Sequence, residues 1–162
     1  MEIRDLIIYD KLIPLREAVY AEYPSMLSNE LSNYLAISGI KYLYCHQEEM
    51  FTKAIEGNNV VITTSTASGK TLSFLLPVIQ EILENPLTRA IFIYPTKALA
   101  NDQYRAIMPY LKYFGTNRIS AGVYDGDTSV NERSRIRKSA NIILTNPEML
   151  NSAFLPNHSN FG

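Results

Sequence analysis

The chain has 162 residues, enough for one domain with a single buried core. Its 15 Lys and Arg against 16 Asp and Glu leave a net charge of −1, which excludes a global positive field that would draw it to nucleic acid or to an anionic membrane. A single cysteine, Cys45, excludes an internal disulfide and a multi-cysteine zinc site. No apolar run approaches the roughly 20 residues of a membrane span, and Met-Glu-Ile-Arg-Asp at the start carries no secretory pattern, so the expectation is a cytoplasmic protein without membrane contact.

Residues 1–27 read as an irregular N-terminal extension, with an apolar cluster at Leu6–Tyr9 and breaks at Pro14 and Pro24. From residue 28 the pattern becomes regular. A short helix is expected over 29–37, capped by Asn29, with Leu31, Tyr34 and Leu35 on one face and Gly39 at its end. A second helix is expected over 46–55, followed by the Gly57-Asn58-Asn59 turn. Val60–Thr63 then reads as a strand and Lys70–Leu83 as a helix kinked at Pro77. The alternation continues with a strand over 90–94, a helix over 97–114 with Pro109 as a break point, a strand over 119–124, a polar helix over 131–138, and a strand over 141–144. Pro147 is placed to start a last helix over 148–153, before a loop over 155–162. Strands alternating with helices predict an α/β fold, a mainly parallel sheet with helices on both faces.

The densest chemical signal is Val60-Val61-Ile62-Thr63-Thr64-Ser65-Thr66-Ala67-Ser68-Gly69-Lys70-Thr71. An apolar β-branched run, a loop of small residues and Gly-Lys-Thr at a helix start can wrap backbone N–H groups around a triphosphate. The helix N-terminus adds its partial positive charge. In that reading Lys70 reaches the β- and γ-phosphates and the Thr71 hydroxyl joins a Mg²⁺ shell. Thr64 stands where the first Gly of the G-x-x-x-x-G-K-[ST] pattern belongs.

Upstream, Gln47 carries a donor and an acceptor side by side, which matches the N6/N7 edge of adenine. Read in isolation, Gln47 is a solvated helix residue and Tyr44 a core residue rather than a stacking plate. Pro95, Thr96 and Lys97 stand at one strand-to-helix junction, Thr145 and Asn146 at another. Each junction can serve as a helix cap alone, or as one of a line of anion sites along the sheet edge. Tyr124-Asp125-Gly126-Asp127-Thr128 follows a third strand; it reads as an Asx-type turn, or alternatively places Asp125 as a metal ligand. Arg133, Arg135, Arg137 and Lys138 form a solvated face that could touch phosphates.

In this order the segments resemble the first RecA-like lobe of a superfamily 2 helicase of the DEAD/DEAH-box kind. Leu-Tyr-Cys-His-Gln, Tyr-Asp-Gly-Asp-Thr and Leu155-Pro156-Asn157-His158 are similar to the MrfA/YprA type of bacterial DNA helicase, a RecQ-like relative. The resemblance implies that residues 28–162 belong to an ATP-binding helicase lobe, with ATP and Mg²⁺ as cofactors. It places Tyr44, Gln47, Thr66, Ala67, Ser68, Gly69, Lys70 and Thr71 at the nucleotide, Lys70 and Thr71 in catalysis, and Thr71 at the metal. It places Pro95, Thr96, Lys97, Gly126, Asp127, Thr128, Thr145 and Asn146 beside single-stranded DNA.

Such enzymes couple ATP hydrolysis to strand separation, usually in DNA repair. The 162 residues contain no Asp-Glu-x-His box, no Ser-Ala-Thr motif and no second lobe. The expectation is therefore an incomplete lobe lacking its Walker B strand, inactive alone, with unpaired strand edges and a tendency to self-associate. The competing reading is a non-catalytic nucleic-acid- or partner-binding module with a structural phosphate loop. A small kinase or GTPase would need an Asn-Lys-x-Asp motif, which the chain lacks.

Overall fold

The computed structural model describes residues 17–64 and 68–156. The Leu6–Tyr9 cluster, Thr66, Ala67 and the tail from residue 157 lie outside them. Strand β1 (Tyr20–Ala21) pairs antiparallel with β2 (Leu43–Tyr44), Tyr20 opposite Tyr44. This ladder falls partly in the segment expected to be irregular; two residues are too few to leave an alternation in the sequence.

Helix α1 (Asn29–Ile37) lies between them in the chain. Its cap is Ser28, not Asn29: the Ser28 hydroxyl accepts from the Leu31 amide at 3.3 Å, which makes Asn29 the first helical residue. Helices α2 (Cys45–Ile55) and α3 (Lys70–Glu84) follow. Then come β3 (Ala90–Ile93), α4 (Lys97–Phe114), β4 (Ala121–Val123), α5 (Val130–Ser139), β5 (Ile142–Thr145) and α6 (Pro147–Met149). A single π-helical turn over Leu150–Phe154 extends α6. Pro109 sits inside α4 without ending it.

The sheet is parallel with order β3-β5-β4, Ile143 of β5 standing between Ile91 and Gly122. All four residues of β5 are buried, as a central parallel strand covered on both faces requires. Alternation along β5 divides the core. Ile142 and Leu144 enter the larger cluster with Phe51, Leu75, Leu76 and Ile79. Ile143 points the other way, to Tyr124, Ile136, Met149 and Phe154.

The expected strand over Val60–Thr63 is absent. The run has the composition of a strand, but a ladder needs a partner to satisfy its amides, and none stands beside it among the described residues; Val61 is 87% exposed. Among the described residues the outer edge of β3 is open as well. The amides of Ala90 and Tyr94 donate to the carbonyls of Asn141 and Thr145 at 2.7 and 2.9 Å. Strand parity therefore turns those of Ile91 and Ile93 to the opposite edge, and both side chains, on one face of the sheet, are about half exposed. An apolar groove of about 500 Å³ runs along this edge between β3, α2 and α3. Tyr94 lines it; burial pushes its phenol up to about 12, and its hydroxyl has no hydrogen-bond partner among the described residues.

Candidate nucleotide and nucleic-acid site

Gly69 caps α3 in the left-handed region, φ +75°, and as a glycine it brings no side chain to cap that helix. The N-cap position itself therefore offers the first-turn amides of α3 no side-chain acceptor, and with the helix dipole they suit an anion. Two constraints fix glycine here. The positive φ is one. The other is space: a Cβ would come within 2.5 Å of the Gln47 Nε2.

Lys70 extends back across the loop. Its Nζ donates to the Thr64 carbonyl at 2.9 Å and lies 3.5 Å from the Ser68 hydroxyl. The hydroxyls of Thr64 and Ser68 are 2.6 Å apart. Thr64, at the position where a glycine was expected, thus supplies both carbonyl and hydroxyl to the ring of contacts that holds the ammonium. Thr71, one residue on, donates its hydroxyl to the Gln103 Oε1 at 3.0 Å.

Gln47 is only 3% exposed, so the solvated-helix reading fails. Its Oε1 accepts from the Tyr44 amide at 2.9 Å, and its Nε2 donates to the Gly69 carbonyl at 3.0 Å. It therefore pins the phosphate loop to the start of α2. One N–H and one lone pair of the carboxamide are still uncommitted by these two bonds. The ring of Tyr44 stacks on Tyr20 at 5.2 Å and on His46 at 5.6 Å between centroids, so it belongs to a three-ring stack rather than standing as a bare plate.

The other candidate residues gather on one sheet edge, because parallel strands deliver their C-terminal ends to the same side. Thr96 caps α4, accepting from the Leu99 amide at 3.2 Å, and Pro95 precedes it exposed. Lys97 pairs with Asp127 at 3.0 Å, and this bond raises the Lys97 ammonium above its ordinary value. Asp125, 5% exposed, accepts from the Asp127 and Thr128 amides at 2.9 and 3.1 Å, which is the Asx turn and not an open metal ligand. Gly126 lies within that turn.

Three side chains placed here as nucleic-acid contacts are turned inward. The Thr128 hydroxyl donates to the Val123 carbonyl at 3.0 Å. That of Thr145, fully buried, donates to the Tyr124 carbonyl at 2.7 Å. Asn146 accepts from the Met149 amide at 2.9 Å and caps α6. They shape the edge, and Pro95, Thr96, Lys97, Gly126 and Asp127 are what the edge exposes. Gln103 was not singled out in the sequence. Its signal is a polar residue three after Ala100 on a helix whose stripe Ala100, Tyr104, Ile107, Leu111 faces inward.

A phosphate loop packed against a buried glutamine, beside a row of strand-to-helix junctions, defines an α/β lobe of the RecA-like type. The model of the DEAD/DEAH box helicase family matches residues 44–161, and the chain belongs to that family. It is 41% identical over 144 residues to the ATP-dependent helicase YprA of Bacillus subtilis, covering 89% of this chain and 19% of that one. It is also 41% identical over 146 residues to the ATP-dependent helicase hrq1 of Schizosaccharomyces pombe, covering 89% and 14%. Among solved structures, that of the DUF1998 helicase MrfA bound to DNA and AMPPNP superimposes with a TM-score of 0.86. The identity there is 38%, over 98% of this chain and 23% of that one. The resemblance to the MrfA/YprA type holds, and the chain spans at most about a fifth of the length of these curated relatives.

Proposed function

We propose that residues 28–162 form the first RecA-like, ATP-binding lobe of an ATP-dependent DNA helicase, residues 1–27 being an extension before it. The observation that carries this reading is the link between Gln47, Gly69 and Lys70: a helix N-terminus entered through a glycine, an ammonium across the loop and a buried carboxamide meet at one place. That donor set fits a triphosphate. Ser68, Gly69, Lys70 and Thr71, with Thr66 and Ala67, hold the phosphates, and the remaining donor and acceptor of Gln47 read adenine.

The Thr71 oxygen is a hard ligand suited to Mg²⁺, and no cluster of three acidic, His or Cys residues stands ready among the described residues to hold a cation alone. The ion would therefore arrive with the nucleotide and keep phosphate oxygens and water in its shell. Bound there, it offsets the charge that develops on the phosphates during transfer.

Single-stranded DNA lies along the edge made by Pro95–Lys97 and Gly126–Thr128, held by backbone amides, helix α4 and Lys97. This local arrangement suits a chain of net charge −1. A second RecA-like lobe of the same protein closes over the nucleotide, and the complete enzyme works in the cytoplasm, in DNA repair. No described helix is long and apolar enough to cross a membrane. The open edge of β3 and its groove favour self-association of the 162-residue chain.

The test is fluorescence anisotropy of a labelled oligo-dT with the chain, repeated with Mg-ATP and with Mg-GTP. The reading requires binding that responds to ATP and not to GTP, and loss of that discrimination in Gln47→Ala. Binding indifferent to any nucleotide would favour the non-catalytic module instead.

A further inference from the structure

The bond between Thr71 and Gln103 joins the nucleotide loop to the helix that starts at the nucleic-acid edge. We propose that Gln103 is a positioning residue. It takes the proton of the Thr71 hydroxyl, aims that oxygen's lone pairs at the cation of the bound nucleotide, and ties the state of the loop to α4. The inference rests on the proposed nucleotide site and adds a residue to it.

A hydroxyl has one proton and two lone pairs. Thr71 donates its proton to the Gln103 Oε1 at 3.0 Å, so only acceptor capacity is left for a ligand. A cation requires that orientation, and a free hydroxyl adopts it only part of the time. Both partners are half-buried, which limits competition from water.

Gln103 also lies six residues after Lys97, about 9 Å along the axis of α4. The first turn of that helix carries the Thr96 cap and the Lys97–Asp127 pair. An α-helix moves as a rigid element on this scale. A displacement of Thr71 on nucleotide binding is therefore felt at Lys97, and the reverse holds by linkage.

The experiment measures the Kd of Mg-AMPPNP for the 162-residue chain with and without saturating oligo-dT, and the Kd of oligo-dT with and without Mg-AMPPNP. The two ratios must agree. In the wild type each ligand tightens the other by about fivefold or more. Gln103→Leu, similar in volume and without an acceptor, is expected to cut that factor by about fivefold, the worth of one neutral hydrogen bond. Gln103→Glu keeps the acceptor and is expected to retain the factor, whereas Gln103→Met, of similar length without the carbonyl, is expected to lose it as Gln103→Leu does, a loss that a packing role would not give.

A wild-type factor in Gln103→Leu overturns the inference, and so does Gln103→Glu behaving like Gln103→Leu. A wild type that binds both ligands independently overturns it while leaving the proposed site in place. A wild type that binds neither removes both.

Discussion

Replacing Gly69 by alanine tests the join between the phosphate loop and Gln47. Two costs are readable. An L-residue held at φ +75° carries roughly 1–2 kcal/mol of left-handed strain. The new methyl would also stand within 2.5 Å of the Gln47 Nε2 and expel the carboxamide. That breaks its bonds to the Gly69 carbonyl and the Tyr44 amide and leaves buried polar groups unpaired, a further ~1–3 kcal/mol.

Gly69→Ala should therefore destabilise the chain by about 3 kcal/mol in the wild-type background. In Gln47→Ala the obstacle is gone, and only the strain, ~1–2 kcal/mol, should remain. Urea denaturation of the wild type, both single variants and the double variant closes the cycle, with an expected non-additivity of about 1–2 kcal/mol. Equal costs of Gly69→Ala in the two backgrounds would refute the idea that these residues act as one unit.

Other outcomes follow from single contacts. Asp127→Asn releases Lys97 from an exposed pair worth at most about 1 kcal/mol. Oligo-dT should then bind up to about fivefold tighter, with its logarithmic salt slope steeper by about 0.7; unchanged or weaker binding counts against Lys97 as a phosphate contact. Ile91→Lys puts a charge on the open edge of β3 and should lower the association constant measured by sedimentation equilibrium, whereas Leu87→Lys, exposed and outside the strand, should not.

Glu30 is held below its ordinary carboxylate value by hydrogen bonds from Arg118, one of them 3.0 Å. Its folded pKa thus lies under its unfolded one. The stabilisation is complete above the unfolded value and disappears as pH falls through the folded one. The stability gap between the wild type and Glu30→Gln should be present at about pH 7 and shrink as pH falls below the unfolded carboxylate value of about 4.3. A gap constant across that range contradicts the assignment.

The order of elements was legible wherever a segment carried its own signal. Helix α4 showed its apolar stripe over all 18 residues, and its bounds are those read from the sequence. Parallel strands β3 and β5 announced themselves as apolar runs ended by a proline or an Asn-Pro. Illegible were the features that depend on a distant partner. Val60–Thr63 has a strand's composition and no neighbour to pair with among the described residues. Ser28 rather than Asn29 caps α1, a choice between adjacent residues of equal propensity.

The site divides the same way. The left-handed φ of Gly69 and the reach of Lys70 across the loop are local features, and the motif carried both. Gln47 was visible as a residue type, while its hold on the Gly69 carbonyl, 22 positions away, was not. Thr128, Thr145 and Asn146 were legible as junction residues, where caps and anion sites draw on the same residue types. Their bonds to the Val123 and Tyr124 carbonyls and from the Met149 amide were not.

Everything in the proposed function depends on a nucleoside triphosphate entering the ring formed by Thr64, Ser68 and Lys70. Calorimetric titration of the chain with Mg-ATP examines that step without requiring turnover or DNA. The account requires saturable one-to-one binding by the wild type that Lys70→Ala weakens at least about tenfold, the loss of one charge-assisted phosphate contact. Equal affinity in the two proteins, or no heat from either while both melt as folded chains, would contradict it.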